Sequence, residues 1–308
     1  MYESFYGLKE RPFELTSNLK YLFYTAQHRE ALANLEYGLA SAKAITVVIG
    51  EAGIGKTTIL RAALQSQRCR HINAVMLDNP RLSREEFIRL LATKLKLGAA
   101  AAESKANLLD VLEPELRARR ARNEMTALMV DEAQSLSHDL LEELRLLANI
   151  ETPAEKLLPL VLVGQPELAD HLNDPRLRQL KQRVALRCEI TPLTLIDTAS
   201  YIASRIRTAG GDTTKLFTRE AVMQIHESSR GIPRMVNVLC DNALITGLAL
   251  RKRPVDRDIV RDVCRDFDVN EEPERVAAVG GAYGDFVPRP ASRTSQGPPS
   301  KEPSIVKV

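Results

Sequence analysis

Gly50-Glu51-Ala52-Gly53-Ile54-Gly55-Lys56-Thr57 decides how this chain must fold. An apolar, β-branched run precedes it (Ile45-Thr46-Val47-Val48-Ile49), and a helix-forming stretch follows (Thr58-Ile59-Leu60-Arg61-Ala62-Ala63-Leu64). Strand, glycine-rich loop and helix in that order are the setting of the pattern G-x-x-x-x-G-K-[ST], a phosphate-binding loop (P-loop). Glycines let backbone N–H groups turn toward phosphate oxygens where a side chain would block them. The helix N-terminus adds partial positive charge on the same side. The spacing assigns Lys56 to the β- and γ-phosphates and the Thr57 hydroxyl to Mg²⁺. Gly50, Glu51, Ala52, Gly53, Ile54, Gly55 and Thr58 complete the candidate nucleotide-binding set. A glycine-rich turn with a chance lysine is the alternative, and the flanking strand and helix disfavour it. The loop predicts a site for ATP or GTP.

Outward from the loop, short apolar runs alternate with helical periodicity. A helix over His28–Ala42 carries Ala31, Leu32, Leu35 and Leu39 on one face. Further strands are predicted at 72–77, 126–130, 160–163 and 184–190, separated by helices at 84–97, 105–122 and 137–149. Ser83 and Glu86 form a capping box at the start of the first of these helices. This order predicts an α/β domain over residues 28–191: a parallel five-stranded sheet sandwiched by helices. Residues 192–270 read as helices only, a small all-helical lid domain with segments at 197–209, 218–228, 233–250 and 256–267. Residues 271–308 turn to Pro, Gly and Ser and are expected to be a disordered tail. Before residue 28, half of the chain's 7 Phe and 7 Tyr are concentrated. That N-terminal segment is expected to lie extended over the nucleotide domain with its rings packed down.

Composition narrows the function classes. Lys+Arg 43 against Asp+Glu 40, a net charge of +3, gives no general attraction to nucleic acid or anionic lipid. The four cysteines (Cys69, Cys188, Cys240, Cys264) match no metal spacing and read as free, mostly buried thiols of a reducing compartment. No apolar run reaches the roughly 18 residues of a membrane span, and Met1–Tyr6 lacks a signal-peptide pattern. A cytoplasmic protein is the expectation.

A second motif completes the nucleotide chemistry. Leu128-Met129-Val130-Asp131-Glu132 is an apolar strand ending in two carboxylates about 75 residues past the P-loop, the spacing of a β-α-β-α-β path (a Walker B strand). Asp131 is expected to hold Mg²⁺, and Glu132 to polarise the attacking water. An acidic strand end without chemistry is the plainer alternative. Gln165, ending a strand expected beside the P-loop strand, could orient water near the γ-phosphate or merely begin a Gln-Pro turn. Arg183, just before the fifth strand, is the candidate arginine finger for a neighbouring subunit's ATP, with Arg176, Arg178 and Arg187 as competitors. In Arg230-Gly231-Ile232-Pro233-Arg234, proline at a helix start would leave Arg234 projecting from the first turn.

P-loop, Asp-Glu strand end, Gln165, Arg183 and the Gly-x-Pro-Arg helix together resemble an AAA+ ATPase over residues 28–267. The resemblance implies ATP with Mg²⁺, Gln165 as sensor 1, Arg183 as finger, and Arg234 as sensor 2 touching the γ-phosphate from the lid. It also implies the Tyr24–Glu30 segment as the adenine wall. More narrowly, Met1–Leu8 with Arg11-Pro12-Phe13, His28-Arg29-Glu30-Ala31-Leu32, Asp131-Glu132-Ala133-Gln134, Glu142-Glu143-Leu144-Arg145 and Gly164-Gln165-Pro166-Glu167-Leu168 resemble the ExeA-like ATPases of general secretion pathway A. The better-known members continue into a transmembrane helix and a peptidoglycan-binding domain, and these 308 residues show neither pattern.

That likeness implies a homo-oligomeric ATPase with ATP at subunit interfaces. Its partners would be protein components of an inner-membrane secretion, pilus or exopolysaccharide-export complex. It would work in the cytoplasm or peripherally at the inner membrane. A DNA-binding AAA+ regulator of transposition type is the runner-up, resting on Arg117-Ala118-Arg119-Arg120-Ala121-Arg122 as a phosphate-neutralising patch. Cations that complement a helix C-terminus explain the same cluster. A binding switch without turnover is a third reading, and Glu132 argues against it.

Overall fold

The structure is a computed structural model that describes residues 1–16, 18–78 and 81–267. The expected tail at 271–308 lies outside the described residues. The chain opens with a one-turn helix, α1 (Glu3–Tyr6), and a long helix, α2 (Ala26–Ala40), that Thr25 caps by accepting from the His28 N–H. The P-loop strand is β1 (Ile45–Gly50), followed by α3 (Lys56–Gln65), β2 (Ile72–Leu77), α4 (Arg84–Leu95), α5 (Lys105–Ala121) and β3 (Met125–Val130). Ser83 and Glu86 close the expected capping box of α4. Next come α6 (His138–Leu147), β4 (Leu160–Gly164), two short helices, α7 (Glu167–Asn173) and α8 (Arg178–Lys181), and β5 (Val184–Ile190). The lid is α9 (Leu195–Thr208), α10 (Arg219–Ser229), α11 (Pro233–Ala249) and α12 (Arg257–Asp266).

The five strands form one parallel sheet in the order β2-β3-β4-β1-β5. β1, β3 and β4 are buried along their whole length, as parallel strands covered on both faces must be. Alternation then sorts their residues: Val47 and Ile49 join the core under α4–α7, while Val48 joins the opposite core under α2 and α3. β2 and β5 stand at the edges; β5 exposes alternate residues, and β2 exposes Asn73. Because β4 is inserted between β1 and β3, the sheet has its crevice at the carboxyl ends of these three strands, where α/β sheets take ligands.

The N-terminal segment differs from expectation. Tyr2, Tyr6, Leu8 and Phe13 pack into the lid core beside Tyr201, Ile206, Phe217 and Val255, not onto the nucleotide domain. The four lid helices leave an apolar face that they do not cover themselves, and the rings close it. Gly247 of α11 makes the room: a Cβ there would lie 2.3 Å from the Tyr6 hydroxyl. The Lys9 N–H donates to the Ala209 carbonyl at 2.8 Å, and Phe13 meets Phe217 edge-on.

Arg205 of α9 anchors the strap. It is 7% exposed and has no carboxylate partner among the described residues. Its guanidinium donates to the Pro12 and Glu14 carbonyls at 2.5 and 3.3 Å and stacks over the Tyr21 and Tyr201 rings. Arg205→Met should cost about 2 kcal/mol, the order of one or two charge-assisted hydrogen bonds. Calorimetry should therefore read a midpoint lowered by roughly 4–8 °C. An unchanged midpoint would mean the strap is held without it.

Candidate nucleotide site

The P-loop leaves β1 at Gly50 and enters α3 at Lys56 through Gly53 (φ +79) and Gly55 (φ +111), conformations that L side chains rarely adopt. The N-terminus of α3 presents the positive end of its dipole to the loop, a setting that suits an anion. Lys56 is 5% exposed and reaches back over the loop, its Nζ donating to the Gly50 and Glu51 carbonyls at 2.7 and 2.9 Å. Burial lowers its pKa, while the carboxylates of Glu132, Asp131, Glu51 and Glu167 pull it back up. His28 buttresses the loop from α2. Its Nδ1 pairs with the Thr25 hydroxyl at 2.7 Å and its Nε2 with the Ile54 carbonyl at 3.3 Å, and burial lowers its pKa.

At the end of β3, Asp131 is 8% exposed and accepts from the Thr57 hydroxyl at 2.7 Å. Two oxygen donors from different elements thus stand side by side at the mouth of the loop. Glu132 follows in the left-handed region (φ +53), an uncommon conformation for a side chain of that size. Burial raises the Glu132 carboxyl, but amides of Gln134 and Gln165 and the Lys56 charge outweigh it, and the net shift is downward. Gln165 stands just past β4, beside β1 as expected, with its Nε2 3.1 Å from the Glu132 carboxylate.

The lid closes the crevice from above. Pro233 opens α11, the Arg234 N–H donates to the Gly53 carbonyl at 3.2 Å, and the exposed Arg234 side chain has no polar partner among the described residues. A Cβ on Gly53 would lie 2.7 Å from the Arg234 Cβ, so only a bare loop admits the helix this closely. Together these elements enclose a cavity of about 350 Å³ that the P-loop, Glu132 and Arg234 line.

Residues 24–30, the expected adenine wall, contribute little to the lining of this cavity. Of that stretch only His28 lines the cavity, and Glu14, Leu15, Thr16, Asn18, Tyr21, Leu22 and Phe23 line it as well, with Tyr201, Arg205 and Asn237 of the lid. The N-terminal strap, carried on the lid core, brings them there. Arg61 also lines the cavity, and sequence reading gave no sign of it or of Asn237.

Arg183 is brought nowhere near this cavity. It precedes β5, whose register with β1 runs from Val184 opposite Ile45 to Ile190 opposite Gly50. That places it about 20 Å from the P-loop of its own subunit, at the far end of the sheet. Its backbone N–H donates to the Leu180 carbonyl at 2.9 Å and its charge helps lower the Glu151 carboxyl, whereas the Arg176 guanidinium is tied directly to Asp174 and His138.

The Arg117–Arg122 cluster is spent internally. Arg117 pairs with Glu113, Arg119 with Glu115, Arg120 with Glu155 and Arg122 with Glu124.

Residues 39–172 match the AAA domain. The chain is 40% identical over 249 residues to General secretion pathway protein A of Aeromonas hydrophila, and spans 81% of itself but only 45% of that protein. Among solved structures it is similar to Drosophila ORC bound to DNA, with TM-score 0.64, 18% identity, and 84% of this chain and 65% of that one covered. The Aeropyrum pernix ORC2 protein gives TM-score 0.60 and 16% identity over 84% and 71%. At those identities the likeness shows the fold alone. The P-loop at Gly50–Thr57 and the acidic end of β3 fall within the residues that match the AAA domain, and the chain thus carries an AAA-type nucleotide-binding fold and is similar to General secretion pathway protein A.

Proposed function

We propose that this ATPase hydrolyses ATP with Mg²⁺ at subunit interfaces of a homo-oligomer, and that its cycle supports assembly of a bacterial envelope secretion, pilus or polysaccharide-export machine. The observation that carries the hydrolytic part is the meeting of Thr57, Asp131, Glu132 and Gln165 at the mouth of one loop under Arg234. The Thr57 hydroxyl and Asp131 carboxylate are hard oxygen donors suited to Mg²⁺, which when bound neutralises and orients the β- and γ-phosphates. Lys56 and the first-turn amides of α3 hold the phosphates. Glu132, oriented by Gln165, takes a proton from the water that attacks the γ-phosphorus as the bond to the β-phosphate breaks. The similarity to General secretion pathway protein A supports the pathway. In that setting the protein works in the cytoplasm or against the inner membrane. No helix among the described residues is long and apolar enough to cross a membrane.

Arg183, distant from its own site, suits a finger offered in trans. Arg183→Ala should lower turnover about 10³-fold with ATP affinity kept. Mixing it with a Lys56→Ala protein should restore part of the rate, because an interface whose loop comes from the Arg183→Ala protein and whose finger comes from the Lys56→Ala protein is intact. Steady-state phosphate release reads both, and an Arg183→Ala protein as fast as the parent removes the residue from the site.

The DNA-binding alternative loses its main support, since each arginine of the basic cluster faces a carboxylate. Titrating DNA into the Glu132→Gln protein with ATP and Mg²⁺ at ~150 mM salt should give no sub-micromolar binding.

A further inference from the structure

Gln134 lies partly buried between the end of β3 and the end of β4. Its Nε2 donates to Glu132 Oε2 at 2.6 Å, and its Oε1 accepts from the Gln165 backbone N–H at 3.0 Å. Gln165 closes the ring, its Nε2 donating to the same Glu132 oxygen at 3.1 Å. Both amides therefore hold one carboxylate oxygen, and Oε1 of Glu132 takes no hydrogen bond from a described residue. We infer that Gln134 is a positioning residue for turnover: it fixes the Glu132 carboxylate in one orientation and ties that orientation to the end of β4. The inference rests on the proposed role of Glu132 as the group that activates water.

The chemistry of the ring selects the residue type. A primary amide presents a donor and an acceptor from one planar tip, so a single side chain can grip a carboxylate and a backbone N–H together. Asparagine is one methylene too short to span the two elements. A glutamate at 134 would set carboxylate against carboxylate. The strand end is kept bare for it: a Cβ on Gly164 would lie 3.0 Å from Gln134 Oε1 and 2.7 Å from the Leu168 side chain. The Glu132 backbone sits in the left-handed region, where the local chain gives the side chain no regular packing to rest on. Hydrogen bonds from outside the turn must supply the orientation. A carboxylate that swings by an ångström loses its line to the water, and misplacement on that scale costs a reacting group heavily.

The experiment is a kinetic cycle on the full chain with Gln134→Met, which keeps volume and removes both polar functions. Turnover should fall about ten-fold, since Gln165 still holds the carboxylate, while ATP affinity stays at the parent value and the thermal midpoint falls by only a few degrees. Adding Gln134→Met to Glu132→Gln should leave that variant's residual rate unchanged, because nothing remains to be positioned. Gln134→Met with parental kcat, or an equal further loss in the Glu132→Gln background, overturns the inference and leaves the role of Glu132 standing. Parental turnover in Glu132→Gln alone overturns that role, and the inference with it.

Discussion

Turnover by the Glu132→Gln protein is expected to fall by about 10²–10⁴-fold, the range for losing a general base, while ATP affinity stays within about two-fold. Glutamine has the volume of glutamate and keeps one acceptor oxygen. That oxygen can receive both amides that now converge on Glu132 Oε2, so the ring with Gln134 and Gln165 survives. The phosphates are held elsewhere, by the P-loop and Lys56, so binding has no reason to change. What disappears is the ability to accept a proton, and an amide cannot do that at any working pH. Phosphate release and fluorescent-nucleotide titration on the same preparation separate the two properties. Parental turnover would mean that the water is activated by some other group, and the acidic end of β3 would keep only a structural account.

The five strands and four lid helices were legible because each carries its own periodicity and its own cap or breaker. β1 and β3 are continuous apolar runs, and α10 is fixed by Thr218 at its start. The short helices α7 and α8 were not read, since four to seven residues are too few to display a period of 3.6. Of the N-terminal rings marked for burial, Tyr24 packs on the nucleotide-domain core as expected, while Tyr2, Tyr6 and Phe13 go to the lid core. Composition says that a ring must leave water, and says nothing about which apolar face is left uncovered. The site divides in the same way. Lys56, Thr57, Asp131 and Glu132 stand at fixed offsets within strand–loop motifs, so spacing alone located them. Gln134, Arg205 and Asn237 acquire meaning only from partners distant in the chain. In the basic cluster the carboxylates facing Arg117, Arg119 and Arg122 lie within four residues, whereas the one facing Arg120 is 35 residues away in sequence.

Lys56→Ala should weaken ATP binding by about 10²-fold, and the cause is the balance of charge around the loop. Four carboxylates, those of Glu132, Asp131, Glu51 and Glu167, act on this ammonium, and a nucleoside triphosphate adds several more negative charges to the same space. Without Lys56 the loop still turns, because Gly53 and Gly55 carry its conformation. The phosphates, however, would meet an acidic rim with one cation fewer. A unit charge pair at contact near a protein surface is worth about 4 kcal/mol. Competition from a bound metal and from water leaves roughly 3 kcal/mol, which is the 10²-fold expected. The alanine also removes the donor that satisfies the Gly50 and Glu51 carbonyls. Lys56→Arg separates charge from fit. The charge is kept, but a planar guanidinium does not enter a slot that leaves the ammonium side chain 5% exposed, so affinity should fall nearly as far. Thermal shift offers the check without turnover. ATP should raise the parent's midpoint through its binding free energy, and should leave both variants almost unmoved at the same concentration. If Lys56→Arg binds like the parent, charge alone holds the phosphates. If Lys56→Ala does, the nucleotide is held by something other than this loop.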